Sequence, residues 1–168
     1  MSTSDYITPK HYEAIGTLIA MCSCFEAQMA QGIIALSGTT KQASIIMTIG
    51  MNAKALINNL RHLARLKAPH LADEFNKIID GDDRNRGLDK LYPVRNLFAH
   101  AIFGPGAAKG SIKPLAFRLR EDMEFQEGEF DVAGILLYAK MFQERSIRLR
   151  KLLNDNGYSY DQVPEDAE

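Results

Sequence analysis

From Thr8 to Ser37 the chain carries apolar side chains at Ile15, Leu18, Ile19, Cys22, Phe25, Met29, Ile33 and Leu36. That three-and-four spacing belongs to a helix with one buried stripe, and its length predicts about eight turns. Thr8-Pro9 reads as an N-cap followed by proline at the first helical position, and Gly38 as the stop. A helix this long and one-sided must have its stripe covered by other elements of the same chain, which already points to helix-on-helix packing.

The rest of the chain supplies those elements. Thr39-Thr40 opens a second predicted helix, Lys41 to about Lys67, with Ile45, Ile46, Ile49, Ala53, Leu56, Ile57, Leu60, Leu63 and Ala64 on a wide apolar face. Gly50 reads as a mid-helix residue that lets a neighbouring helix approach. A third helix is predicted from His70 or Leu71 to Ile79 or Asp80. After a weak turn at Gly81-Asp82-Asp83 the chain re-enters helix through Leu88 and Leu91 and stays helical to Gly104-Pro105, bent at Pro93. The glycine-rich loop to Gly110 lacks the Walker spacing and reads as a hinge. Leu115–Leu119 and Met123–Phe130 alternate and predict a short hairpin. Asp131 caps a closing helix whose apolar positions run from Val132 to Leu153 and which ends at Asn156-Gly157. Met1–Ile7 and the acidic stretch Tyr158–Glu168 are expected to be loosely held.

The expected fold is therefore mainly α, a four- to five-helix up-and-down bundle with a short β-hairpin inserted before the last helix. At 168 residues it fits one domain spanning 1–168, with an ordered core of about 8–156.

Composition narrows the function. A formal charge of -1 and a pI near 6.4 argue against a protein that wraps nucleic acid by bulk electrostatics; an RNA partner would need a local patch. Cys22 and Cys24, two residues apart, lie on different faces of a helix and suit a reducing compartment better than a disulfide framework. They do not make a zinc site, and no metal or cofactor is expected. The N-terminus has no secretory pattern, and no apolar run reads as a membrane span, so a cytoplasmic location without membrane attachment is expected.

One segment breaks the apolar pattern. In Pro93-Val-Arg-Asn-Leu-Phe-Ala-His-Ala-Ile-Phe-Gly104, an arginine, an asparagine and a histidine sit within a run otherwise built for burial. Asn96 and His100 are four apart and share a helix face, whereas Arg95 starts about 140° round from His100 and reaches it only through its long side chain. Polar groups on such a segment need partners or a job. Near a helix end the bland reading is a surface cation and a capping imidazole. Arg-Asn, three residues, His arises by chance in about one chain in a hundred of this length at average composition.

Arg95-Asn96-Leu97-Phe98-Ala99-His100 resembles the signature of the HEPN superfamily (higher eukaryote and prokaryote nucleotide-binding): an arginine, four to six residues, then histidine, very often with asparagine after the arginine. The usual glycine after the histidine is here Ala101, a small departure because neither residue brings a reactive side chain. The order of elements, with Phe25-Glu26 in the long first helix, extends the resemblance from about Thr8 to Asn156. It implies a helical bundle, a homodimer in which the motif helices of two subunits approach, and a composite cleft lined by Arg and His from both. It further implies a metal-independent endoribonuclease that leaves a 2′,3′-cyclic phosphate, with Arg95, Asn96 and His100 catalytic, acting as a toxin or phage-defence effector restrained by an antitoxin or regulatory protein. Glu26 is the carboxylate that would hold Arg95.

Four further cations are candidate RNA contacts: Arg61 and Arg65 at the end of the second predicted helix, and Arg118 and Arg120 on one face of the predicted hairpin. The other reading of the same features, favoured by the acidic charge balance, is a non-catalytic HEPN-like module that binds nucleotides or a partner protein. A third makes Arg95 a buried partner of Glu26 and His100 a capping residue.

Overall fold

The computed structural model describes residues 6–81, 87–116 and 128–165. These form six α-helices and one two-stranded antiparallel sheet: α1 (Pro9–Ser37), α2 (Lys41–Thr48), α3 (Ala53–Lys67), α4 (Ala72–Asp80), α5 (Leu88–His100), β1 (Ile102–Pro105), β2 (Ile112–Ala116) and α6 (Val132–Asp155). Short 3-10 turns lie at Pro69–Leu71 and Tyr160–Gln162. The mainly helical fold with a hairpin ahead of the last helix is the one the sequence predicts.

The chain divides into two compact units, Met1–Cys22 with Leu88–Gln143, and Ser23–Gly87 with Glu144–Glu168. The boundaries fall inside α1 and inside α6. In the first unit the core is Ala14, Leu18 and Cys22 of α1, Leu88, Leu91, Val94, Leu97 and Phe98 of α5, Ile112 and Phe130 beside the sheet, and Ile135, Ala139 and Phe142 of α6, all buried. Full burial of each large apolar side chain contributes about 1.5–3 kcal/mol against exposure. Phe98 joins the motif helix to the sheet region, stacked on Phe103 at 5.2 Å between ring centroids and edge-on to Phe130 at 4.9 Å.

The second unit buries Phe25, Met29, Ile33, Ile34 and Leu36 of α1, Leu56, Leu60 and Ala64 of α3, Phe75, Ile78 and Ile79 of α4, and Leu149 and Leu153 of α6. Gly32 of α1 is the point of close approach here: a Cβ on it would meet Leu153 and Leu60 methyls at 3.1 and 3.2 Å. Residues 158–165, expected to be loose, are tied down. The Tyr158 hydroxyl donates to the Lys67 carbonyl at 3.1 Å, the Lys41 amide donates to the Pro164 carbonyl at 2.8 Å, and Lys41 Nζ meets the Glu165 carboxylate at 2.6 Å.

Five sequence expectations change. The helix predicted over Lys41–Lys67 is two helices, because Gly50 takes φ +76° and no atom beyond its immediate chain neighbours lies near its Cβ position. It is a left-handed turn residue, not a packing notch. Asn52 then starts α3 anew, its side chain accepting from the Ala55 amide at 2.9 Å. Freed from that helix, Ile46 and Ile49 are about three-quarters exposed, at 74% and 76%, and do not join an apolar face.

The motif helix stops at His100, four residues before Gly104. Ile102 and Phe103 are strand residues, a β-branched and an aromatic side chain whose backbone groups pair with β2. The hairpin is correspondingly earlier than predicted: Phe103 faces Pro114 and Gly104 faces Lys113, and Phe130 adds one bridge to Ile112. The predicted strand residues 117–127 lie outside the described residues. The glycine-rich segment is the closed end of this hairpin, with the Gly106 amide donating to the Ser111 carbonyl at 2.9 Å, and not a hinge.

Finally, α1 is long and apolar enough to cross a membrane by length and composition, with a mean hydropathy of 1.4 over its most apolar window. The expectation that no run approaches a span therefore does not hold. The physical reason is that a core helix of 29 residues, with small Ala, Gly and Ser on its outer face, passes the same test as a spanning one.

Candidate functional site

The turn that carries Arg95, Asn96 and His100 is held by what lies between them. Val94, Leu97 and Phe98 are buried and occupy an arc of about 100° on the α5 surface. Arg95, Ala99, Asn96 and His100 fall in that order on an arc of about 140° outside it. Arg95 and Asn96 are half-buried, Ala99 and His100 exposed. The alternation follows from the sequence: three large apolar residues at i, i+3 and i+4 fix one face to the core, so the polar residues must point elsewhere. Between the arginine and the other two stands only the methyl of Ala99, which leaves the surface between the guanidinium and the imidazole uncovered by a long side chain.

Arg95 Nη1 donates to Asn96 Oδ1 at 3.0 Å. Its Nε is buried and has no partner among the described residues. The bond to a neutral amide leaves the positive charge of the guanidinium uncompensated at this contact. No hydrogen bond or ion pair among the described residues engages the His100 ring. It is the last residue of α5, at the C-terminal end of the motif helix. Asn96, expected to orient His100 or a bound phosphate, is instead bonded to its neighbour Arg95 through its carbonyl oxygen, with its amide group still able to donate.

The remaining candidates are not all in the same unit. Glu26, half-buried on α1, and Arg61 and Arg65 on α3 belong to the second unit, whereas the motif belongs to the first. Arg61 is committed to Asp80 of α4 by a short ion pair, and its Nε is buried without a partner. Arg65 is exposed in the last turn of α3. Arg118 and Arg120 lie outside the described residues. No three His, Cys, Asp or Glu side chains gather among the described residues in a way that could hold a metal ion.

Two residues of the motif's own unit escaped the sequence reading. His11 is 2% exposed and follows Thr8 by three positions. Its Nδ1 accepts from the Thr8 amide at 3.2 Å and lies 2.8 Å from the Thr8 hydroxyl, the half of a capping box in which the N3 side chain, here histidine in place of Glu or Gln, reaches back to the N-cap amide. With Nδ1 accepting, the proton sits on Nε2, which donates to the Gly110 carbonyl at 3.1 Å. The Thr-Pro-x-His spacing was the available signal. Glu129 is the second: its carboxylate accepts from the Ala107 and Ala108 amides at 2.5 and 3.1 Å and from the Ser111 hydroxyl at 2.7 Å. Those donors, the Ala107 amide foremost, hold its pKa down to about 2. No local pattern marks Glu129, because its donors are about twenty residues away in sequence.

Compared with known proteins, the chain matches no family model, no curated protein and no solved structure.

Proposed function

We propose that this protein is an endoribonuclease of HEPN type, which cleaves RNA without a metal ion by using the neighbouring 2′-hydroxyl as nucleophile. The observation that carries the reading is one helical turn with an uncompensated guanidinium, an amide donor and an exposed, unengaged imidazole on a single polar arc. In the reaction the 2′-oxygen attacks phosphorus, its proton passes to a base, and the bond from phosphorus to the 5′-oxygen breaks as that oxygen gains a proton. The products are a 2′,3′-cyclic phosphate and a 5′-hydroxyl. Imidazole can both accept and donate a proton and so serves both transfers, with a typical contribution of about 10²–10⁴-fold. Arg95 neutralises the charge that builds on the equatorial oxygens, and the Asn96 amide donates to the same phosphate.

Two protons move and each chain brings one such histidine. A composite cleft with Arg95 and His100 from two copies therefore supplies base and acid together, the arrangement the resemblance implies. The cellular role that goes with it is a toxin or phage-defence effector, restrained by an antitoxin or regulatory protein. A binding module is the second reading. It is favoured by the commitment of Arg61 to Asp80, which removes one candidate RNA contact.

The test is to incubate wild type and His100→Ala with total RNA in EDTA and to map the ends formed. Cyclic-phosphate ends from wild type alone, with at least a 100-fold loss in the variant, support the nuclease. Equal cleavage by both proteins rejects His100 as the proton carrier, and no cleavage across a panel of structured and unstructured RNAs moves the function to binding.

A further inference from the structure

Helix α2 is turned inside out. Its buried residue is Ser44, 1% exposed, whose hydroxyl lies 3.1 Å from Ser37 Oγ and in short contact with Thr39 Oγ1. Ile46 stands about 160° round the helix from Ser44 and faces solvent, with Ile45 and Met47 on either side and Ile49 following the last turn. These four are between 44% and 76% exposed. Further ties of α2 to the chain are polar too. The Lys41 and Gln42 amides donate to the Pro164 and Glu165 carbonyls at 2.8 and 3.4 Å, and Lys41 Nζ pairs with Glu165 at 2.6 Å.

An amphipathic helix ordinarily sets its apolar residues against the core. Here polar groups anchor the helix while three isoleucines and a methionine gather outside. They make an apolar patch on the order of a few hundred Å², the size at which exposed apolar surface marks an interaction site.

What covers the patch follows from its charge. From Gln42 to Ala53 no residue is charged, in a chain of which 24% is charged. A surface that binds a different protein or a nucleic acid carries charges that its partner complements, and this stretch has none. A membrane surface calls for a basic polar face and aromatic anchors. Helix α2 has no aromatic residue, and its one cation, Lys41, is paired with Glu165. A two-fold contact has the opposite requirement. It sets the same patch against itself, so any charge there would face its own copy, and a charge-free aliphatic surface suits it. The two-fold also counts the patch twice, which with a rim of Gln42, Asn52 and Lys54 brings it towards the roughly 1,000 Å² that a specific interface clears. We infer that α2 packs against α2 of a second copy of this chain, with Ile45, Ile46 and Ile49 at the centre. None of these residues belongs to the motif of α5, and the contact stands whether or not the protein cleaves RNA.

Sedimentation equilibrium of the full-length protein across the micromolar range tests the inference. The wild type is expected to be a dimer. Ile46→Glu and Ile49→Glu, at positions 74% and 76% exposed in the single chain, place like charges in the contact and should each weaken association at least about 100-fold with unchanged far-UV circular dichroism. Leu66→Glu, 75% exposed on α3, adds the same charge elsewhere and should leave association as it is. The symmetry has its own readout. In a Cys24→Ser background, Ile45→Cys, Ile46→Cys and Ile49→Cys are made singly, and at least one should give a disulfide-linked dimer on mild oxidation. A monomeric wild type, a dimer that survives both isoleucine-to-glutamate variants, equal weakening by Leu66→Glu, or no cross-link at any of the three positions overturns the inference. Binding of a monomeric wild type to phospholipid vesicles, lost in Ile46→Glu, overturns it in favour of a membrane.

Discussion

Arg95 and Asn96, adjacent in sequence, are joined side chain to side chain, with Nη1 donating to Oδ1 at 3.0 Å. The pair fixes one edge of the guanidinium while its charge stays uncompensated there. Asn96→Ala removes this bond from a half-buried position. In the proposed reaction the Asn96 amide also donates to the phosphate, and losing one such bond to a charged group costs about 1.5–3 kcal/mol in the transition state, so RNA cleavage is expected to fall by roughly 10- to 100-fold. The melting temperature should change little. Comparing cleavage rate and thermal melting of the same preparation separates this from a folding defect, and a loss of melting temperature that tracks the loss of rate would make Asn96 structural.

Glu129 gives an acid-dependent prediction. Its folded pKa is about 2, against an ordinary value of 4.5, because the Ala107 and Ala108 amides and the Ser111 hydroxyl stabilise the carboxylate. A lowered folded pKa contributes stability above the unfolded value, and that contribution fades as pH falls from 4.5 towards 2. Thermal melting of wild type and Glu129→Gln between pH 7 and 2 should therefore show wild type more stable at pH 5 to 7 and the two curves converging below pH 4.5. A constant gap across this range would mean that the carboxylate charge is irrelevant.

Two glycines of the hairpin should respond differently to alanine. At Gly106 a Cβ would stand 2.0 Å from the Ser111 oxygen and 2.7 Å from Glu129 Oε2, both held in the same hydrogen-bonded cluster. At Gly104 the obstruction is the Leu115 side chain at 2.5 Å, which is 57% exposed and can swing into solvent. Gly106→Ala is expected to cost about 1–3 kcal/mol in urea unfolding and Gly104→Ala clearly less. The reverse order would show that the Glu129 cluster yields more easily than the strand pair.

Gly50 tests the break between α2 and α3. Space is free around it, but its φ of +76° is a conformation that costs an L-residue about 1–2 kcal/mol. Gly50→Ala should lose about that much in urea unfolding, and Gly50→Asn markedly less, since asparagine tolerates left-handed backbone. Equal losses in both would point to a cause other than backbone conformation.

The helices were legible in the sequence where one face is buried. Leu18, Cys22, Phe25, Met29 and Ile33 in α1, Leu56, Leu60 and Ala64 in α3, and Ile135, Ala139 and Phe142 in α6 stand at helical spacing and are buried. Terminal signals were equally local: Pro9, Gly38, Asp131 and Gly157 each mark an end because a cap or a left-handed residue acts within one turn. The polar arc of Arg95, Asn96 and His100 was likewise readable, since Val94, Leu97 and Phe98 between them could only turn inward.

What the sequence by itself determined is therefore where most of the chain is helical, which helix faces are buried and the chemistry carried on one turn of α5. Tertiary structure decided the rest. Whether the helix through Ile45 and Ile46 continues past Thr48 depends on a backbone angle at Gly50, and whether Ile102 and Phe103 are helix or strand depends on pairing with β2. The Glu129 carboxylate and the His11 ring have meaning only beside partners that distant segments supply. Local propensities are worth fractions of a kcal/mol and act over a turn. A buried polar group must be satisfied by whatever the whole chain brings to it.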